Sequence, residues 1–150
     1  MFQKMLQGGS GSSGIKADFI AKDNIINIDP TIITGRRENN IFYSLPTLPY
    51  SSNFGWKVDL SKFNIIIIRI NYLKNSGYGS DTHKLGLGNN IDGEGFITAK
   101  DIIVSDNEMF YAFDVSSYDS NYYLKFFFKT SQQNLEAQLS VKDIILLDIK

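Results

Sequence analysis

The sequence predicts a single domain of antiparallel β-structure, on the basis of its length, its composition and its hydrophobic pattern. Its 150 residues are the length of one domain. Hydrophobic residues make up 43% of the chain and aromatic residues 13%, which is enough apolar material to bury a core. The chain has 20 isoleucines and only 5 alanines, and branched and aromatic side chains favour strands over helices. No segment shows the apolar period of 3.6 residues that marks an amphipathic helix, so any helix is short.

Alternating apolar and turn-rich stretches predict the individual strands. They fall at 15–21, 24–29, 31–34, 40–45, 56–60, 63–74, 84–91, 95–104, 109–115, 121–130 and 136–149. We expect the short early stretches to merge, leaving eight or nine strands at a spacing typical of a sandwich or barrel. The runs 64–70 and 122–128 are apolar on both faces, which predicts central strands or strands covered by another subunit. Asp92 and Gly93 predict a tight hairpin turn.

Residues 1–14 predict an arm that is separate from the β-domain at 15–150. The run 8–14 contains only glycine and serine, which is typical of a flexible tether. We favour a native tether over a remnant of cloning, because residues 1–7 match no affinity tag. Phe2, Met5 and Leu6 have the spacing of one face of a helical turn, and we expect them to dock into a partner.

Charge and residue usage exclude several functional classes. A net charge of −1 and a pI near 5.8 give no general attraction to phosphate backbones, so we expect no nucleic-acid partner. The sequence has no cysteine, which excludes disulfides, thiolate zinc sites and cysteine nucleophiles. No apolar run approaches the roughly 20 residues that span a bilayer, and residues 1–7 are too polar for a signal peptide. We expect no cofactor and no membrane insertion.

One short pattern occurs twice, at 58–63 and 113–118. Both copies read apolar-Asp-apolar-Ser-x-aromatic, and both precede a very hydrophobic strand. We interpret each copy as a strand ending in a turn, where the serine hydroxyl bonds a nearby backbone amide and the aromatic closes the core. With the closing stretch 139–147, the two copies resemble jelly-roll β-sandwich domains of the galactose-binding-like and carbohydrate-binding-module type. Such domains recur in tail, fibre and decoration proteins of bacteriophages.

This resemblance covers residues 56–150 and implies both a fold and a function. The implied fold is a jelly-roll-like antiparallel β-sandwich with a flexible N-terminal arm. The implied function is that of a non-enzymatic virion protein, made in the host cytoplasm, whose arm joins other virion proteins and whose sandwich binds cell-surface glycan. The alternative is a free-standing or enzyme-associated bacterial carbohydrate-binding module. Strands that are apolar on both faces also predict a homo-oligomer.

The sequence offers little for catalysis. His83 is the only histidine, and 79–84 has the composition of a solvated loop, so we expect no Ser-His-Asp site and no enzyme activity. Turns explain the candidate glycosidase carboxylates equally well: Asp92, Glu94, Asp114 and Asp119. The oxygen-rich stretch 89–95 fails the EF-hand spacing, which leaves an irregular calcium site as the alternative to a hairpin turn. We expect no metal, and at 36–40 we favour a solvated turn over the alternative of an anion site.

Aromatic residues in polar loops are the sharper functional signal. Sugar rings stack on aromatic side chains while their hydroxyls pair with amides and carboxylates. The segments 43–56 and 72–79 combine these residue types, and they predict Tyr50, Phe54 and Tyr78 as ligand-binding residues. The structural alternative places Trp56 in the core, with Tyr50 and Phe54 covering one end of the sandwich.

Overall fold

A computed structural model describes residues 15–73, 82–92, 95–101, 108–130 and 137–149. Within these ranges the backbone forms twelve strands and one short 3₁₀ turn, Leu60–Lys62. The strands are β1 (Ile15–Lys22), β2 (Ile25–Ile26), β3 (Thr31–Thr34), β4 (Arg36–Glu38), β5 (Ile41–Tyr43), β6 (Ser51–Asp59), β7 (Ile65–Leu73), β8 (Thr82–Gly88), β9 (Thr98–Asp101), β10 (Glu108–Asp114), β11 (Asn121–Lys129) and β12 (Gln138–Ile149). None of the described segments is a helix long and apolar enough to cross a membrane.

The strands form two antiparallel sheets that pack as a sandwich. Sheet A has the order β10-β7-β12-β1-β2, with β5 paired to the first residues of β12 and β4 paired to β5. Sheet B has the order β3-β6-β11-β8-β9. From β6 onwards the chain passes repeatedly between the sheets, so that β1-β12-β7-β10 faces β6-β11-β8-β9. This is the strand order of a jelly roll, and the predicted fold class is confirmed.

Every predicted strand position contains a strand, but the expected merging of the short early strands is wrong, because β2, β3 and β5 stay separate. β6 begins at Ser51, five residues before the predicted start at 56. Its first residues are polar, yet they are buried and pair with the end of β11, which an apolar pattern does not indicate. β4 is an additional strand within the stretch 36–40, where the sequence favours a solvated turn. Its charged side chains alternate with the strand period, and it pairs with β5.

Stacked aromatic rings form the centre of the sandwich. Phe42 of sheet A stacks on Phe54 of sheet B with 3.7 Å between ring centroids, and Phe54 stacks on Phe126 at 5.1 Å. Trp56 meets these rings edge-on, and its Nε1 donates to the Ile28 carbonyl oxygen at 2.7 Å. All four rings are buried. The prediction of Phe54 as a ligand-binding residue is therefore wrong, because its ring joins the two sheets, and the core position of Trp56 is confirmed.

A second apolar cluster lies on the outer face of sheet A. Its buried members come from two adjacent strands: Ile67, Ile145 and Leu147. The partly buried members that pack against them are Ala17, Phe19 and Ile65. Phe110 of the neighbouring strand β10 lies on the same face as this cluster, because it is two residues from Ala112, the cross-strand partner of Ile67. Its side chain is 64% exposed. Sheet A is thus apolar on both faces over part of its area, as the run 64–70 predicts.

The two copies of the repeated pattern form the same turn. Asp59 Oδ1 accepts from the Ser61 amide at 3.1 Å and from its hydroxyl at 2.6 Å. Asp114 Oδ1 accepts from the Ser116 amide at 3.0 Å and from its hydroxyl at 2.6 Å. The predicted turn is confirmed, but its chemistry is corrected. The aspartate binds the backbone amide, and the serine hydroxyl donates to the aspartate.

These two turns lie side by side at one end of the sandwich, where the chain crosses between the sheets. The Leu60 amide donates to the Ser120 carbonyl at 3.2 Å, and the Val115 amide donates to the Asn64 carbonyl at 2.8 Å. Each turn is therefore tied to a residue that flanks the other. Leu60 and Val115 are fully buried and close the core beneath the turns.

The paired turns predict a specific acid sensitivity. Hydrogen bonds from Ser61 and Ser116 lower the pKa of Asp59 and Asp114, first through the hydroxyls and then through the amides. Because the folded pKa lies below the unfolded value, this stabilisation is complete above about pH 4 and is lost as the pH falls further. The double variant Asp59→Asn, Asp114→Asn keeps the acceptor oxygens, so its melting temperature should fall less between about pH 5 and pH 3. The control is Asp119→Asn, an exposed neighbour. Parallel acid profiles for the double variant and the parent would contradict this role.

Candidate functional site

A lysine lies at the centre of the outer face of sheet B. Lys125 on β11 alternates with core residues, so its side chain leaves the sheet on the side opposite the core. Its cross-strand neighbours are Gly55 on β6 and Gly86 on β8. Because neither neighbour has a side chain, the face has a depression around the lysine. Lys125 is nevertheless fully buried.

The described residues of the connection between β8 and β9, at 89–92 and 95–97, cover Lys125. Its Nζ donates to the Gly95 carbonyl oxygen at 2.7 Å and lies 3.5 Å from the Asp92 carbonyl oxygen. The ammonium also stands 4.7 Å from the centroid of the Phe96 ring. Burial lowers the pKa of Lys125 below its usual value, and the Asp92 carboxylate opposes that shift. Two backbone oxygens of this connection, from Asp92 and Gly95, therefore face the Lys125 ammonium.

Glycines allow this connection to approach the sheet. A Cβ atom at Gly55 would lie 2.8 Å from Ile91 Cδ1, and one at Gly88 would lie 2.7 Å from Lys125 Cδ. The predicted β8–β9 hairpin is confirmed, and its cross-strand pairing ends at Leu87 and Thr98. Gly93 of the predicted tight turn lies outside the described residues.

A recess of about 290 Å³ opens beside the covered lysine. It is lined by Gly88, Asn89, Asn90, Asp92, Gly95, Phe96 and Ile97. Both asparagines and Asp92 are exposed, whereas the Phe96 ring is half-buried. The recess combines one aromatic ring, two amides and one carboxylate, and its volume lies near the lower end of small-molecule pockets. The recess thus offers one apolar stacking surface together with hydrogen-bond donors and acceptors.

The other predicted ligand residues fall elsewhere. Tyr50 is half-buried and ends a turn in which its amide donates to the Thr47 carbonyl at 2.7 Å across a cis Leu48-Pro49 bond. Its carbonyl accepts from the Thr130 amide at 3.0 Å, which ties the turn to the end of β11. Tyr50 is not among the residues that line the recess, and its predicted role in ligand binding is untested. Tyr78, together with Phe2, Met5 and Leu6 of the arm, lies outside the described residues.

The structure also places the residues considered for catalysis. His83 is in β8, 6% exposed, and its ring centroid is 4.4 Å from that of Tyr72. The predicted solvated loop is therefore wrong at His83, because the side chain faces the core. Asp114 serves a turn, Asp119 is exposed and Glu94 lies outside the described residues. Within the described ranges, no three His, Asp or Glu residues are grouped closely enough to hold a metal ion.

Sequence reasoning missed the central residue of this site. Lys125 sits inside the run 122–128, which is otherwise apolar or aromatic. A lysine in such a run signals a buried charge with oxygen partners, because an unpaired ammonium is costly to bury. The partners themselves are backbone oxygens some 30 residues away in sequence, and no side-chain pattern marks them.

Comparisons with known proteins add a distant structural similarity. No family model matches the chain, and no curated protein matches it. Among solved structures, the glycoside hydrolase domain of Endo-D from Streptococcus pneumoniae R6 is similar at 13% identity with a TM-score of 0.41. The similarity covers 91% of this chain and 20% of that chain, so this protein spans about a fifth of its length. None of these comparisons ties the chain to bacteriophage proteins.

Removing the Lys125 ammonium should release the connection that covers it. Lys125→Met keeps most of the side-chain length but removes the charged donor to the Gly95 and Asp92 carbonyl oxygens, which should lower the free energy of unfolding by about 1–3 kcal/mol. Hydrogen exchange should accelerate at 89–92 and 95–97 and stay slow in β11. The matched control is Lys57→Met, an exposed lysine on the same sheet, with an effect within about 0.5 kcal/mol. Unchanged stability and exchange in Lys125→Met would show that the ammonium does not hold this connection.

Proposed function

We propose that this protein is a non-catalytic jelly-roll domain that binds carbohydrate in the recess beside Lys125. The observation that carries the proposal is the convergence of the Phe96 ring, the Asn89 and Asn90 amides and the Asp92 carboxylate on one recess of about 290 Å³. A sugar presents apolar CH faces and hydroxyls that both donate and accept hydrogen bonds. The recess offers a matching group for each.

The rigidity of the recess supports the same function. Binding costs less free energy when the groups that contact the ligand are already ordered. Here the Lys125 hydrogen bond to Gly95 fixes one side of the connection, and the 2.6 Å bond from the Ile97 amide to the Leu87 carbonyl fixes its end. The polar groups of the recess therefore lie on a connection that is hydrogen-bonded to the sheet.

The assignment as non-catalytic rests on where the proton-transfer groups lie. The only imidazole of the sequence is packed against Tyr72 in the core. Among the described carboxylates, Asp59 and Asp114 are each engaged by a serine two residues away. A glycosidase needs two carboxyl groups facing each other across the sugar, at roughly 5–10 Å. Of the residues that line the recess, Asp92 alone carries a carboxyl group.

Glycan binding is measured directly, first with the full chain on an array of immobilised neutral glycans and then by calorimetry with a binding saccharide. Asn90→Ala should weaken binding about fivefold, the equivalent of one hydrogen bond, and Phe96→Leu should weaken it similarly by removing the ring. Tyr50→Ala and the exposed control Asn121→Ala should leave affinity unchanged. Absence of binding across the array would refute the proposal, and loss of binding in Tyr50→Ala alone would move the site to the 47–50 turn.

A second candidate function is that of a particle component, the bacteriophage tail, fibre or decoration role that the sequence resemblance implies. The observation that favours it is the apolar cluster on the outer face of sheet A, with the exposed Phe110 beside it. The chain enters this sheet through β1, directly after the arm at 1–14. A neighbouring subunit packed on this face would bury the cluster, in a homo-oligomer or against another virion protein.

Light scattering of the full chain tests this second function. Self-association through sheet A predicts a mass that is a multiple of 16.9 kDa. Phe110→Glu should shift that mass to a monomer, because a carboxylate would then be buried at the contact. Leu48→Glu, at an exposed leucine of the 47–50 turn, is the matched control and should leave the mass unchanged. A monomer that also fails to bind isolated phage particles, with or without residues 1–14, would count against the particle role.

A further inference from the structure

Two hairpin tips meet on one irregularity of sheet A. Strand β12 has a bulge between Val141 and Asp143, where its pairing register with β7 shifts. The β1–β2 turn and the β4–β5 turn both contact this bulge on the edge of β12 that does not pair with β7. In the first turn, the Asn24 amide donates to the Lys142 carbonyl at 3.0 Å. In the second turn, Asn40 and Val141 exchange two hydrogen bonds of 2.8 and 3.0 Å.

Both tips have backbone conformations that fix their shape. Asp23 and Asn24 have φ values of 51° and 69°, as in a primed two-residue hairpin turn, and Asn39 has a φ of 54°. Asparagine and aspartate tolerate this left-handed region better than other residues with a side chain. The Asp23 amide also donates to Asp143 Oδ1 at 2.9 Å. The two tips are therefore anchored to the same strand and hold a constant separation.

A cleft of about 380 Å³ lies between the tips. It is lined by Asn24, Ile25, Ile26, Arg37, Asn39 and Asn40. Arg37 is the charged residue of this lining. Its Nε donates to the Asn39 carbonyl at 2.8 Å, and its side chain is 23% exposed. One further guanidinium nitrogen donates to Asp29 Oδ1 at 3.1 Å, and the Asp29 side chain is 89% exposed.

We infer that this cleft is a second binding site, which takes the carboxylate of an acidic sugar. A guanidinium has five N–H donors, and the two bonds to Asn39 and Asp29 use two of them, so Arg37 can bind a carboxylate in its fork geometry. The exposed Asp29 carboxylate already occupies one arm of that fork. A surface ion pair of this kind contributes little free energy, so a ligand carboxylate can displace it.

The rest of the lining matches the sugar ring. The amides of Asn24 and Asn39 are exposed and can donate to and accept from hydroxyls. Ile25 is 63% exposed and offers an apolar surface to the CH face of a ring. Asp29 beside the single arginine disfavours a doubly charged phosphate, which leaves a singly charged carboxylate as the better match. The site lies on sheet A and is independent of the neutral-sugar recess on sheet B.

Calorimetry of the full chain with three acidic probes tests this inference: trigalacturonic acid, a glucuronate-containing disaccharide and sialyllactose. Neutral galactotriose is the reference ligand. At least one acidic probe should bind more tightly than the reference, and its affinity should fall as salt is added. Arg37→Gln should weaken that binding about tenfold. Asp29→Asn should strengthen it about two- to fivefold, because the competing carboxylate is gone.

The matched control is Arg36→Gln on the same strand. Arg36 stands 3.9 Å from the Tyr43 ring centroid and pairs with Glu38, outside the cleft lining, so this variant should bind within about twofold of the parent. Three results would each overturn the inference. They are no binding of any acidic probe, equal losses in Arg36→Gln and Arg37→Gln, or an Asp29→Asn variant that binds no more tightly. The Asn90→Ala variant of the recess should retain acidic-probe binding, which separates this site from the proposed neutral-sugar site.

Discussion

The buried ammonium of Lys125 is the constraint on which the outer face of sheet B depends. A charged group without partners is too costly to bury, so the lysine requires oxygen atoms above the sheet. The chain supplies them as the backbone carbonyls of Asp92 and Gly95, which therefore lie close to the sheet. Glycines at 55 and 88 remove the side chains that would block this approach. One buried charge thus determines where the recess forms and how its polar rim is held.

The sandwich interior leaves the outer surfaces available for binding. The rings of Phe42, Phe54 and Phe126 join the two sheets, and the paired turns at Asp59 and Asp114 close one end. These elements hold the jelly roll together without polar groups from the recess or from the cleft. The two proposed sites lie on different sheets, and their charged groups have opposite signs, the Asp92 carboxylate in the recess and the Arg37 guanidinium in the cleft. The recess offers an aromatic ring and amides, whereas the cleft offers a guanidinium.

The sequence predicts strand positions well because β-branched residues, period-two alternation and the repeated Asp-x-Ser pattern are local signals. It predicts the sites poorly because these depend on contacts between distant residues. Phe54 sits in a segment with the composition of a loop, and its stacking on Phe42 and Phe126 is set by the fold. Arg37 lies in a polar stretch that is typical of a turn. The cleft that it lines forms only because two hairpin tips meet at the bulge of β12, about 100 residues further along the chain. Local sequence composition favours Tyr50 as a ligand residue, whereas Lys125, inside an apolar run, organises the recess.

NMR can locate the carbohydrate site from the residues that respond to a ligand. Backbone amide resonances of the isotope-labelled full chain would be followed during titration with the neutral saccharide that binds most tightly. We expect chemical-shift changes concentrated at residues 88–92 and 95–97 and in the adjacent part of β11 around Lys125. Shifts confined to the 47–50 turn, or spread over the surface without a cluster at these residues, would contradict the claim that this recess is the carbohydrate site.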